Sequence, residues 1–265
     1  MNNSFKFLLA FLFFTFSFLI ADEKKIEIGI DEQLGKAIPL DVNFKDENGN
    51  TVSLKQLFNK PTVVTFVYYN CPGICSPLLM ELGDIVNKSD LKLGKDYEIV
   101  SISMDQFETP KTAKERKQAF IQVLNGPADE TAWHFLTGDS ADIRKVSDAA
   151  GFYFKRSGKD FLHSGAFIFV SSEGKICRYL FPSFSERSGF GILPFDFKMA
   201  VLETSEGKTV PTIAKVLQFC FRYNPDGQTY VLNFTRIFGV IILLLAGAFA
   251  FFVILKPKKE NRNTR

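Results

Sequence analysis

The chain lacks a basic excess in its central part, contains only two histidines and shows no internal repeat. Residues 22–235 carry 25 basic and 28 acidic residues, so the formal net charge of +3 for the whole chain arises at its ends. Nucleic-acid binders carry a basic face on their folded part, and residues 22–235 have no excess of basic residues, which argues against nucleic-acid binding. No linker separates two domains. About 210 residues of ordinary globular composition therefore predict one domain.

The two ends are apolar and point to export. Lys6 is followed by the uncharged run 7–20, by Ala21 and then by Asp22, which is typical of a signal peptide over 1–21. A retained short anchor is the alternative. The run 237–255 holds nineteen residues without a charge, enough to span roughly 30 Å of hydrocarbon. A buried core helix is the alternative, but soluble helices rarely lack a polar face for that length.

The charges that flank the second run orient the chain. Five Lys or Arg residues lie within 256–265 and place this tail in the cytoplasm. We therefore predict an exported domain over 22–235, a transmembrane helix over 236–255 and a basic cytoplasmic tail over 256–265. This arrangement predicts a single-pass protein of the cytoplasmic (inner) membrane, with its functional domain on the periplasmic or extracytoplasmic side.

Export also changes how the four cysteines are interpreted. Outside the cytoplasm Cys71, Cys75, Cys177 and Cys220 could pair in three ways. A bridge within CPGIC, between Cys71 and Cys75, closes a tiny loop and removes little entropy from the unfolded chain. This pair is therefore more plausibly chemical than structural. For Cys177 and Cys220 the sequence leaves core packing and a mutual disulfide open.

The residues around CPGIC place it in a turn between a strand and a helix. The β-branched and aromatic run 62–69 is typical of a strand that is buried on both faces. Ser76 followed by Pro77 predicts a helix start, with Ser76 as the N-cap and Pro77 in the first position. The helix dipole stabilises a thiolate at that end, which favours nucleophilic or metal-binding chemistry.

The rest of the domain alternates strands and helices. We predict strands at 97–103, 133–137, 166–170 and 176–181, and helices at 110–124, 140–150, 195–204 and 213–221. Two hairpins are expected, one within 41–57 that turns at Asn48 and Gly49, and one that turns at Gly174. This order predicts a thioredoxin-like α/β fold, a mixed central sheet flanked by helices, with a C-terminal transmembrane helix.

Four segments in this frame resemble a known family. In chain order they are YNCPGIC after a strand, VSISMDQFETP about thirty residues later, WHFLTGDSADIRKVSDAAGFYF and FLHSGAFIFVSSEGKICRYL, and they are similar to the Sco/SenC family. These thioredoxin-like copper chaperones take part in cytochrome c oxidase assembly. The resemblance covers about residues 39–179. It implies copper ligands at Cys71, Cys75 and His163, and it places the family's D-x-x-x-T-P aspartate at Asp105.

Two features depart from the family pattern. Leu162 precedes His163, whereas the family often has an aspartate there, and the membrane segment is C-terminal instead of N-terminal. For Asp105 we expect a partner-steering role, a role in orienting His163, or an ordinary turn or cap.

Two thiolates and one imidazole form a soft set of ligands that suits Cu(I) and can also hold Cu(II). A zinc site that adds His134 is the alternative, since structural zinc takes four protein ligands. Otherwise His134 is a half-buried strand residue, and His163 without a metal would hydrogen-bond to the backbone.

The resemblance implies a membrane-tethered chaperone that delivers copper to the binuclear copper site of cytochrome c oxidase subunit II. The alternative is a thiol-disulfide oxidoreductase that keeps the acceptor's cysteines reduced, with Cys71 and Cys75 as its catalytic pair, or a redox sensor. An oxidoreductase needs the two cysteines but not His163. A peroxidase of the peroxiredoxin type is a third option, and it lacks the usual single cysteine framed by proline and threonine.

Overall fold

A computed structural model describes residues 28–71, 73–122, 124, 129–185, 189–211, 221–224, 229–232, 238–239, 242 and 244–249. The chain divides into two compact units, with the boundary between Thr209 and Val210. The described helices are α1 (Leu54–Leu57), α2 (Cys75–Lys88), α3 (Pro110–Ile121), α4 (Ser140–Ala149) and α5 (Pro194–Ser205). The described strands are β1 (Gly29–Ile30), β2 (Asn43–Lys45), β3 (Thr51–Ser53), β4 (Thr62–Val67), β5 (Glu98–Ser103), β6 (Trp133–Leu136), β7 (Phe152–Tyr153), β8 (Lys155–Ser157), β9 (Asp160–Leu162), β10 (Phe167–Val170), β11 (Ile176–Leu180), β12 (Ser183–Ser185), β13 (Gly189–Gly191), β14 (Phe221–Asn224) and β15 (Thr229–Leu232).

A five-stranded mixed sheet forms the centre of the first unit, in the order β11-β10-β4-β5-β6. Strands β4, β5 and β6 are parallel, while β10 runs antiparallel to β4 and β11 antiparallel to β10. Every residue of β4 is buried, which fits a β-branched strand covered on both faces. The predicted mixed α/β order is therefore confirmed for the central strands.

The two predicted hairpins are also present. Strands β2 and β3 pair across a turn in which Gly49 has φ +88°, and β10 and β11 pair across a turn in which Gly174 has φ +83°. Side chains with a Cβ rarely adopt such angles, so glycine is the favoured residue at both turns.

Helices cover the sheet and bury its apolar residues. Helix α3 contacts β6, and α5 contacts β10 and β11, while α2 contacts both α3 and α5. Helix α4 packs against β7. The largest buried side chains, among them Phe66, Trp133 and Tyr179, belong to one continuous core.

The start of α2 differs from the prediction. Ile74, with φ −72° and ψ −22°, is the N-cap, and Cys75 is the first helical residue, so the assignment of Ser76 as N-cap is wrong. Pro77 therefore occupies the third helical position. The first-turn N–H groups of a helix have no intrahelical partner, so a proline there costs no hydrogen bond. The consequence is that Cys75 lies inside the first turn of α2.

Several elements were not predicted from the sequence. The hairpin β8–β9 and the pair β1–β7 lie in the first unit, and β12 pairs with β13 after the central sheet. In the second unit β14 pairs with β15. The predicted helix at 213–221 falls outside the described residues except for Phe221, which begins a strand.

The signal peptide and the transmembrane helix remain predictions. Residues 1–21 and most of 237–255 lie outside the described part of the chain. Among the helices that are described, none has the length and apolar character needed to cross a membrane.

Candidate metal centre

The two cysteines lie where β4 ends and α2 begins. The backbone N–H of Cys71 donates to the carbonyl of Tyr68 (3.1 Å), which closes a turn directly after the strand. Cys75 follows in the first turn of α2. Cys71 is 8% exposed and Cys75 is 2% exposed, and both are free thiols. The junction of β4 and α2 therefore holds both sulfur atoms, with Cys71 in the connecting turn and Cys75 in the first turn of the helix.

The register of the sheet brings His163 to the same junction. Because β10 is antiparallel to β4, with Ile168 opposite Val64, the start of β10 lies beside the end of β4. The connection 163–165 joins β9 to β10 there. As a result His163 Nε2 lies 3.5 Å from Cys75 Sγ, although the two residues are 88 positions apart.

The three predicted ligands form a compact cluster. One donor atom from each of Cys71, Cys75 and His163 lies within 4.8 Å of the other two. A trigonal ion with bonds of about 2.0–2.3 Å, the range known for zinc, needs donors about 3.5–4 Å apart. Small side-chain movements are therefore enough to enclose one ion. Among the described residues, this is the single cluster of three or more such donors.

The imidazole is oriented for binding through Nε2. His163 Nδ1 lies 2.9 Å from the carbonyl oxygen of Ser164, which can only accept, so Nδ1 carries the proton. In the neutral ring Nε2 then carries the lone pair and faces the sulfur atoms, as in metal-ligating histidines whose other nitrogen donates to a backbone carbonyl. The ring of Tyr68 meets the imidazole edge-on, with 6.0 Å between the ring centroids.

The two thiols have opposite protonation preferences. The pKa of Cys71 falls to about 4, chiefly because the Cys75 thiol donates a hydrogen bond to its sulfur. Backbone N–H groups of Cys75 and Gly73 and the hydroxyl of Tyr68 add to this effect, with Gly73 N at 3.3 Å. The pKa of Cys75 is raised well above its usual value, because the same hydrogen bond and burial retain its proton. The pair therefore consists of one thiolate and one thiol.

The structure gives Asp105 a turn role. Its carboxylate accepts from the backbone N–H of Phe107 (3.1 Å) and forms an ion pair with Arg156 instead of orienting His163. The residue that the sequence analysis missed is Glu108, in the same segment, which bonds to the backbone just before Cys71. Its position two residues before the helix-starting Pro110 was visible in the sequence, but its partners are 38 and 39 residues away.

The other candidate residues lie elsewhere. His134 is in β6, and its Nε2 lies 3.3 Å from Glu98 Oε2, so the zinc alternative that included it is wrong. Cys177 is fully buried in β11 as a free thiol, with Sγ 3.4 Å from the carbonyl of Lys175, which confirms core packing. Cys220 lies outside the described residues.

A thioredoxin-like α/β domain with two cysteines and one histidine at the junction of β4 and α2 defines a candidate soft-metal or thiol-redox protein. The family model described as SCO1/SenC matches residues 31–189, which is more than half of the chain. The chain therefore belongs to the SCO1/SenC family.

Individual relatives agree with this assignment. The SCO1 protein homolog of Bacillus subtilis (strain 168) is 29% identical over 139 residues, which cover 51% of this chain and 69% of the relative. Protein SCO1, mitochondrial, of Saccharomyces cerevisiae is 26% identical over 155 residues, covering 56% of this chain and 50% of that protein. A crystal structure of an Aquifex aeolicus VF5 protein is 25% identical, with a TM-score of 0.57, and the match covers 66% of this chain and 96% of that one. This structural match confirms the fold of the first unit.

Proposed function

We propose that this protein is a membrane-tethered copper chaperone that delivers copper to the binuclear copper site of cytochrome c oxidase subunit II. The observation that carries the proposal is the cluster of Cys71, Cys75 and His163, whose donor atoms lie within 4.8 Å of one another. Membership of the SCO1/SenC family supports it further. The domain would work on the extracytoplasmic side, held by the apolar run 237–255.

The donor chemistry fits copper as a cargo. Two sulfur ligands and one imidazole suit Cu(I), and the same donors can hold Cu(II). Loading requires Cys75 to give up its proton, while Cys71 is already a thiolate and His163 already presents a lone pair. Three protein donors leave room for a donor from the acceptor. The ion can then pass by stepwise ligand exchange without being released into water.

Replacing His163 tests the chaperone function. The reduced full-length protein in detergent should bind one Cu(I), measured by competition with a chromophoric chelator under anaerobic conditions. His163→Ala should lower the affinity by at least 10–100-fold, the loss typical of disturbed metal sites. His134→Ala is the matched control, because His134 lies in β6 and is paired with Glu98. Equal copper affinity in wild type and His163→Ala would contradict the proposal.

A second candidate function is thiol-disulfide oxidoreductase, favoured by the thiolate at Cys71 beside the protonated Cys75. Cys71 would attack a partner disulfide, forming a mixed disulfide and releasing one partner thiolate. Cys75 would then lose its proton, attack Cys71 and release the second partner thiolate. The protein ends as the Cys71–Cys75 disulfide and the partner as a dithiol.

The two functions differ in their need for the imidazole. On the oxidoreductase function, His163→Ala should still reduce a disulfide in an acceptor peptide, whereas Cys71→Ser should not. Thiol release from the peptide, followed with a chromogenic disulfide, measures both. A variant that loses copper binding and keeps this reduction would separate the two functions, and loss of both activities in His163→Ala would contradict a histidine-independent reductase.

The membrane tether has its own test. A chain that ends before residue 236 should leave the membrane fraction on alkaline extraction, while the full chain should stay in it. Release of the full chain by the same treatment would contradict the predicted transmembrane helix.

A further inference from the structure

Glu108 is a buried carboxylate that lies beside the metal centre without facing it. It belongs to the segment between β5 and α3, directly before Thr109, the N-cap of α3, and it is 8% exposed. Four donors surround its two oxygen atoms. Oε2 accepts from the backbone N–H of Tyr69 (2.7 Å) and from the hydroxyl of Ser103 (2.6 Å), and Oε1 accepts from the backbone N–H (2.8 Å) and side-chain amide (3.0 Å) of Asn70.

These partners are the residues that lead into Cys71. Strand β4 ends at Val67, so the N–H groups of Tyr69 and Asn70 have no strand partner and need another acceptor. Glu108 satisfies both at once, and the next N–H, that of Cys71, closes the turn onto Tyr68. The backbone path that aims Cys71 therefore depends on one carboxylate.

The end of the strand has a separate anchor. The hydroxyl of Tyr69 donates toward the carbonyls of Leu136 (2.8 Å) and Ser101 (3.0 Å), deep in the sheet. Loss of the Glu108 bonds should therefore leave the strand in place and free mainly Asn70 and Cys71. This separation makes a local effect on the metal centre distinguishable from a general loss of stability.

We propose that Glu108 is a positioning residue of the metal centre, which fixes the segment before Cys71 so that its sulfur meets Cys75 and His163. The inference rests on the proposed copper-binding function. Only a carboxylate offers two oxygen atoms that both accept hydrogen bonds and do not donate, which matches the four donors around Glu108. A glutamine of the same shape would turn its side-chain N–H₂ group toward some of these donors. Two donors would then face each other, and a hydrogen bond would be replaced by a repulsive contact.

Glu108→Gln is the main test, made in the reduced full-length protein in detergent. Its Cu(I) affinity should fall by about tenfold or more, as for other outer partners of metal ligands. The thiolate-to-copper absorption of the Cu(II) form should also change, because it reports where the sulfur lies. Ser103→Ala is the matched control: it removes one donor to Glu108 without touching the segment before Cys71. Wild-type affinity and absorption in Glu108→Gln would overturn the inference, as would an affinity loss in Ser103→Ala as large as that in Glu108→Gln.

Asn70→Asp is the second variant, for the case that Glu108→Gln does not fold. Asn70 is exposed, so the change should be tolerated, yet it opposes two carboxylates where an amide now donates to Glu108. We expect a copper affinity several-fold below wild type, with an unchanged melting temperature. Unchanged affinity in Asn70→Asp would overturn the inference.

A copper-independent measurement separates this inference from the proposed function. Glutathione disulfide oxidises Cys71 and Cys75 to their disulfide and is itself reduced to two glutathione thiols. Because positioning raises the effective concentration of one thiol at the other, the equilibrium constant should fall several-fold in Glu108→Gln. If wild type bound no copper, the proposed function would fail, and this constant alone would decide whether Glu108 positions Cys71.

Discussion

Copper loading should release close to one proton per ion from the cysteine pair, because only one of the two sulfurs carries a proton beforehand. The pKa of Cys71 is about 4, lowered chiefly by the hydrogen bond from the Cys75 thiol, and that of Cys75 is raised. At pH 7.5 the fraction of Cys71 that is protonated is below roughly 0.1%. Two ordinary cysteines with pKa values near 8.5 would release about 1.8 protons at the same pH.

The single proton on Cys75 also sets the sign and slope of the pH dependence of copper binding. Copper competes with the single proton on Cys75, so affinity falls as the pH falls. Between pH 8.5 and 7.5 the Cu(I) affinity should drop about tenfold, equal to about 1.4 kcal/mol. A pair of ordinary thiols with pKa values near 8.5 would lose about thirtyfold over the same interval, and nearly a hundredfold per unit only well below that pKa.

Two measurements test the proton count. Anaerobic Cu(I) titration of the reduced protein in a dilute indicator gives the protons released per ion, and chelator competition at several pH values gives the slope. A release near two protons, or a loss of about thirtyfold between pH 8.5 and 7.5, would refute the thiolate–thiol assignment.

Two further predictions concern single residues. Cys75→Ala removes the thiol that donates to Cys71, so the pKa of Cys71 should rise from about 4 toward the usual value near 8.5. The pH midpoint for alkylation of Cys71 by iodoacetamide should move upward with it. An unchanged midpoint would contradict the hydrogen bond from Cys75 as the cause of the low pKa. Gly151 has φ +61°, and an added Cβ would lie 1.8 Å from the carbonyl oxygen of Asp31, whereas Gly158 has φ +65° with open space. Gly151→Ala should therefore lower the free energy of unfolding, measured in urea, by about 3–5 kcal/mol, and Gly158→Ala by about 1–2 kcal/mol. Equal decreases in the two variants would show that the contact with Asp31 does not matter.

The sequence predicted β4 and β5 well because both strands are rich in β-branched residues. Strand β4 was expected over 62–69 and is found at Thr62–Val67, and β5 was expected over 97–103 and is found at Glu98–Ser103. Burial on both faces leaves little choice of residue type, so the pattern is strong. The hairpin β8–β9 was missed because it is short, charged and mostly solvent-facing, and carries no such pattern.

The candidate site was predictable only in part. A strand followed by CPGIC located the cysteine pair from local sequence, but nothing local links His163 to it. The pairing of β10 with β4 brings them together, and neither hydrophobic periodicity nor spacing shows which strands are neighbours. The family resemblance supplied that link. Glu108 was missed for the same reason, since its partners lie on another strand end.

The side chains of Cys71, Cys75 and His163 differ in how strongly the fold restrains them, and this difference predicts the order in which they would release an ion. Cys75 is fixed in a helix and Cys71 in a turn whose N–H groups are bonded, whereas His163 lies in a short partly exposed connection, with its Nδ1 bonded to Ser164. Thiolates also bind a soft ion more strongly than an imidazole does. An incoming thiolate should therefore displace His163 first and leave copper on sulfur throughout the exchange. The copper complex of His163→Ala, though weaker, should then transfer its ion to a thiol acceptor at least as fast as wild type, and a slower transfer would place the imidazole later in the exchange.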